Sequence, residues 1–71
     1  MKTITITTEF IKLQDMMKLG NLVNSGGEAK LLIQDGHVLV DGEPCLQRGK
    51  KIRPGNIITF NKQNYCVIYA D

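Results

Sequence analysis

Tryptophan is absent from this chain, histidine occurs once (His37), and proline and cysteine occur twice each. These scarcities exclude whole classes of function. A single histidine leaves no Ser-His-Asp set, and neither a paired-carboxylate signature nor a phosphate loop is visible, so the parts of an enzyme are missing. Cys45 and Cys66 lie far apart, and with His37 they make no zinc spacing, so neither metal nor cofactor is expected. The plainer role for the two thiols is as small buried hydrophobes. No apolar run is long enough to span a bilayer. Met1 to Thr8 alternates like a strand and lacks the apolar centre of a secretion signal. A cytoplasmic protein with reduced thiols is the expectation. At 71 residues the chain makes one domain, residues 1–71, expected to act as a monomer. A domain of this size buries only about 60% of the surface its unfolded chain exposes, which leaves little room to enclose a substrate. Apolar residues at 42% and charged residues at 23% nevertheless suit a folded protein and argue against disorder.

What is present has a clear order. Thr3 to Thr7 alternates threonine with Ile4 and Ile6, the pattern of a half-buried strand. Thr8 is placed to cap a helix carrying Phe10, Leu13, Met16 and Met17 on one stripe and stopping near Gly20. Ser25-Gly26-Gly27-Glu28 is a capping box: the Ser25 hydroxyl accepts from the Glu28 N–H, and the Glu28 carboxylate reaches back to the N–H of Ser25. Ala29, Leu32 and Ile33 follow on one face, and Gly36 ends this helix in a left-handed conformation. His37 to Val40 reads as a strand, Asp41-Gly42 as a two-residue hairpin turn, and Pro44 marks the return strand as an edge or as ending early. Pro54-Gly55 is a second turn, Asn56 to Phe60 a strand, Asn61 to Asn64 a polar loop and Tyr65 to Ala70 a last strand. The expected fold class is therefore α+β, with two helices packed on one side of a small, mostly antiparallel sheet.

The net charge of +2 is too small to announce a polyanion partner, but its distribution is uneven. Arg48, Lys50, Lys51 and Arg53 fall in one short window that no acid interrupts, and a local field is what an anion feels. Ile52 is expected to point inward and so turn its cationic neighbours outward. Arginine binds phosphate bidentately or stacks on a base, while lysine acts as a point charge. The helix start at Ser25 to Lys30 offers free N–H groups and a positive dipole end, and Gly26 and Gly27 carry no side chain to keep a phosphate away. Each feature also has a plainer explanation: a cap that only starts a helix, and a charged loop that only keeps the chain soluble. Tyr65 and Tyr69 share a strand face, where they either stack on bases or complete the core. His37 fits a packing or capping role better than that of a general base.

Taken in order, Ser25-Gly26-Gly27-Glu28-Ala29-Lys30, Ile33, Gly36 to Glu43 and Gly49 to Ile58 resemble the S4 RNA-binding domain, in particular its short stand-alone bacterial branch, the YaaA/YbcJ-like proteins. The resemblance implies a two-helix unit on a curved sheet that holds structured RNA, ribosomal or transfer RNA, against basic residues of both helices and nearby loops, as in a ribosomal particle. By position it assigns RNA contact to Lys12 of the first helix and to Ser25, Gly26, Gly27 and Lys30 of the second. The basic window adds Arg48, Lys50, Lys51 and Arg53. Asp41 stands where the family usually has Asn, and Asn56 where it usually has Asp; a carboxylate at position 41 would repel a nearby phosphate. The competing function is a protein–protein adaptor that docks a partner on the sheet or on the Tyr65/Tyr69 face, with the basic loop serving solubility.

Overall fold

The computed structural model describes residues 1–70. Strand β1 (Lys2–Ile6) buries Ile4 and Ile6 and exposes Thr3 and Thr5, as the alternation requires. After a bend come a short strand β2 (Ile11–Lys12) and helix α1 (Leu13–Leu19), then helix α2 (Gly26–Gln34). The rest is strand: β3 (Val38–Val40), β4 (Glu43–Pro44), β5 (Lys51–Ile52), β6 (Ile57–Phe60) and β7 (Gln63–Tyr69). Five strands form one sheet in the order β1-β7-β6-β3-β4, antiparallel throughout except that β1 runs parallel to β7 with Ile4 beside Val67. β2 and β5 form a separate two-stranded antiparallel ladder. Leu13, Met16 and Met17 of α1 and Ala29 and Ile33 of α2 join Val38, Ile58 and Val67 of the sheet in one buried cluster, which also takes Ile52 from the ladder. The α+β architecture of two helices on a mostly antiparallel sheet is the one expected.

The second helix follows its local signals closely. Ser25 adopts an extended N-cap conformation and its hydroxyl accepts from the Glu28 N–H at 3.2 Å. Glu28 reaches one residue further back than expected, accepting from the N–H of Asn24 at 2.7 Å rather than from Ser25. At the far end Gly36 has φ +83°, and the N–H groups of Gly36 and His37 donate to Ile33 and Leu32. That is the paired closure a left-handed glycine permits.

The first helix departs from expectation. It begins at Leu13, and its N-cap is Lys12, which makes no side-chain cap bond. Thr8 instead donates to the carbonyl of Phe10. The reason is tertiary: Ile11 and Lys12 are held extended by pairing with Ile52 and Lys51. Gly20 stops α1 without a positive φ; the left-handed residue is Asn21 at φ 59°. Position 20 is close-packed: a Cβ there would lie 2.6 Å from Cδ1 of Ile4, so a larger residue requires the Ile4 side chain to shift.

The Asp41-Gly42 turn is as expected, with both φ values positive and Val40 opposite Glu43, and Pro44 lies on the edge strand β4. The polar stretch 61–64 is tighter than a loop. Asn61 and Lys62 alone make the turn, both at positive φ, and Gln63 and Asn64 already pair with Phe60 and Thr59.

Candidate nucleic-acid interface

The basic window is held by its backbone. The N–H groups of Leu13 and Gln14, which a helix start leaves without intrahelical partners, donate to the carbonyls of Lys50 (2.8 Å) and Arg48 (3.0 Å). The loop carrying the cations thus caps α1. One step on, the ladder sets Lys12 directly opposite Lys51. Two like charges face to face on a ladder are mildly unfavourable, so this pairing calls for a compensating feature. Ile52, fully buried beneath them, supplies part of it. The Phe10 ring supplies more: the Lys51 ammonium lies 4.9 Å and the Arg53 guanidinium 5.6 Å from its centre. A cation over a ring face gains about 0.5–1 kcal/mol at an exposed site. Phe10, expected on the stripe of the first helix, in fact precedes that helix and acts as a half-buried rest for two cations.

The turn that follows is braced as well. Arg53 to Asn56 closes with an Asn56 N–H to Arg53 carbonyl bond, and Gly55 takes φ +100°. The Asn56 side chain accepts from the Arg53 N–H and donates to Asp41, whose other carboxylate oxygen accepts from the Ile57 N–H, all within 2.7–2.9 Å. Positions 41 and 56, where the resemblance leads to the expectation of Asn and Asp, therefore touch one another. The Asp41 carboxylate, expected to disturb anion binding, is occupied on both oxygens by neutral donors and ties the hairpin turn to the turn after the basic window.

The structure brings Lys12, Lys51 and Arg53 together, with Lys50 and Arg48 anchored through their carbonyls to the start of α1. Lys12 comes to this group from β2 and the N-cap, not from the body of the first helix as expected. Ser25, Gly26, Gly27 and Lys30 form a second group at the first turns of α2. The group that approaches Gly26 is the ammonium of Lys18, 4.0 Å from where a Cβ would sit, and not a residue of the basic window. Lys18 also pairs with Asp15 at 3.3 Å. Its place beside α2 depends on how the two helices cross, which no local pattern in the sequence shows. Tyr65 is buried at 8% exposure while Tyr69, at 52%, lies beyond the core, so the pair does not form a shared exposed face. His37 lies beside the end of α2, and its backbone N–H helps to close that helix.

A small α+β domain with two adjacent helices, a capping loop rich in lysine and arginine, and a mixed sheet behind them defines a recognised class of binding domain. The chain belongs to the S4 domain family, whose model matches residues 4–68. It is 40% identical over 55 residues, 78% of each chain, to a probable ribosome maturation protein, RlbA, of Bacillus subtilis. The solution structure of YbcJ from E. coli, described as revealing an αL motif involved in RNA binding, superposes with a TM-score of 0.72 at 30% identity, covering 96% of this chain and 87% of that one. The 30S ribosomal protein S4e of Thermoplasma acidophilum matches with a TM-score of 0.68 at 23% identity. That match covers 92% of this chain but 34% of S4e and speaks for the fold alone.

Proposed function

We propose that this protein binds structured RNA, ribosomal RNA in the first instance and transfer RNA as the alternative, and that it works in ribosome maturation or translation as a cytoplasmic monomer. Its contacts are Lys12, Arg48, Lys50, Lys51 and Arg53 on the ladder side and Ser25, Gly26, Gly27 and Lys30 at the start of α2. The observation that carries this reading is the ladder itself, where Lys12 and Lys51 face each other and Arg53 shares the Phe10 ring with Lys51. Cations held side by side against their own repulsion suit a row of phosphates, whose condensed counterions they release. The likeness to a probable ribosome maturation protein and to a protein with an RNA-binding motif supports the same reading. Among the described residues no helix is long and apolar enough to cross a membrane. The burial of Tyr65 removes half of the Tyr65/Tyr69 face, one of the two docking surfaces open to the adaptor alternative.

The test is a titration of ribosomal RNA at several salt concentrations. With about four cations on phosphates, log K should fall against log salt with a slope of about −3 to −4. Changing Lys50 and Lys51 together to Ala should weaken binding and flatten that slope by about 2. The melting temperature should barely move, because exposed charges contribute little to stability. A salt-independent affinity, or a double variant that binds like the parent, would reject the assignment.

A further inference from the structure

Beside the basic window lies an open cleft of about 750 Å³, within the range of small-ligand sites. Glu43, Pro44 and Leu46 line it from the β3–β4 hairpin and the segment after it; Lys50, Lys51 and Arg53 line it from the basic window. A cleft lined by cations alone would suit any phosphate. This one also holds carboxylates, which repel a bare anion. Asp41 is taken up by Asn56 and Ile57, as described above. Glu43 is exposed and makes no ion pair among the described residues, although three cations line the same cleft. Leu46 is 57% exposed, an apolar side chain without cover at the same place. A ligand that satisfies all of these groups combines an anionic group, an apolar body and N–H donors.

We propose that this cleft seats one unstacked nucleotide of the bound RNA, with guanine preferred. Its phosphate meets Lys50, Lys51 and Arg53, its ring lies on Leu46 and Pro44, and its pairing edge faces Glu43. The preference follows from donor geometry. A carboxylate only accepts hydrogen bonds, and it has two oxygens side by side. Guanine presents N1–H and N2–H together on its pairing edge and satisfies both oxygens. Adenine and cytosine each offer one amino group there, and uracil flanks its single N–H with two carbonyl oxygens that a carboxylate repels. Splayed single-stranded bases are the part of an RNA whose pairing edges a protein can read.

This inference rests on the RNA reading above, and the experiment separates the two. The isotope-labelled protein is titrated with the pentaribonucleotides UUGUU and UUUUU and, separately, with bulk ribosomal RNA. UUGUU should bind about tenfold more tightly than UUUUU, as a bidentate base contact allows. It should shift the amide signals of Glu43, Cys45, Leu46, Lys50, Lys51 and Arg53. Glu43→Ala should abolish the preference for UUGUU while leaving ribosomal RNA bound with its salt slope intact. Equal affinity for the two pentamers, or shifts that avoid the cleft, with ribosomal RNA still bound, would overturn the nucleotide site and leave the RNA reading standing. If neither the pentamers nor ribosomal RNA bind, both fall.

Discussion

The two halves of the candidate interface are built on opposite principles. The start of α2 is assembled from its own neighbours: Ser25 to Glu28, Glu28 to Asn24, each bond spanning three or four residues. The basic window depends on distant partners: Lys50 and Arg48 on Leu13 and Gln14, Lys51 on Lys12, Arg53 on Phe10 and, through Asn56, on Asp41. The first group would persist in a partly loosened chain, since short-range bonds cost little loop closure. The second exists only when the whole domain is closed. If both groups contact RNA as proposed, affinity should follow folding more closely at the basic window than at the start of α2.

The strongest way to break this contrast is Ile52→Ala. Ile52 is fully buried, pairs with Ile11 and anchors the window from beneath. The loss should be about 2–5 kcal/mol, as for other buried isoleucines, and chemical denaturation measures it. RNA affinity should fall with stability, because the cations lose their frame. If affinity survives such a loss, the window does not need the ladder.

The contact between Asp41 and Asn56 offers a reversible break. Asp41→Asn sets two amide NH2 groups against each other and should cost about 1 kcal/mol. Adding Asn56→Asp exchanges the roles. The new carboxylate at position 56 accepts from the amide at position 41 and from the Arg53 N–H, while the amide oxygen at position 41 still accepts from the Ile57 N–H. Aspartate and asparagine both tolerate the positive φ at position 41. The double exchange should recover most of the loss in a double-mutant cycle. Additive losses would show that the two side chains do not act as a pair.

Ser25→Ala probes the locally built half. Loss of the cap oxygen should cost about 1 kcal/mol and lower the melting temperature by several degrees. The chemical shifts of the basic window should stay in place. Their movement would mean that the halves are coupled after all.

Phe10→Leu is the mildest test. It keeps an apolar residue and removes the ring that holds Lys51 and Arg53. Two exposed cation–π contacts are lost, and at about 0.5–1 kcal/mol each, RNA affinity should weaken roughly two- to fivefold for each cation that depends on the ring for its position, readable by titration. An unchanged affinity would show that the cations need no pre-positioning.

The same division explains what could be read from the residues. The cap at Ser25, the left-handed Gly36, the Asp41-Gly42 turn and the inward Ile52 were all legible, because each depends on residues within a few positions or on a simple alternation. The start of α1 was not. Thr8 followed by helically spaced Phe10 and Leu13 satisfies the local rules, and only the pairing of Ile11 with the distant Ile52 draws that stretch into a strand. The role of Phe10 and the place of Lys18 were hidden for the same reason.

Short-range patterns in the sequence are enough for the order of the two helices and the longer strands, the Ser25 cap, the Asp41-Gly42 and Pro54-Gly55 turns and the location of the positive charge, since propensity, capping and turn chemistry act between near neighbours. Only the tertiary structure decided that Lys12 stands opposite Lys51, that Asp41 is spent on Asn56 and Ile57, and that Glu43 faces a cleft lined by cations. Those are meetings between residues far apart along the chain. Their geometry is set by how helices and strands pack around the shared core, which no local pattern encodes.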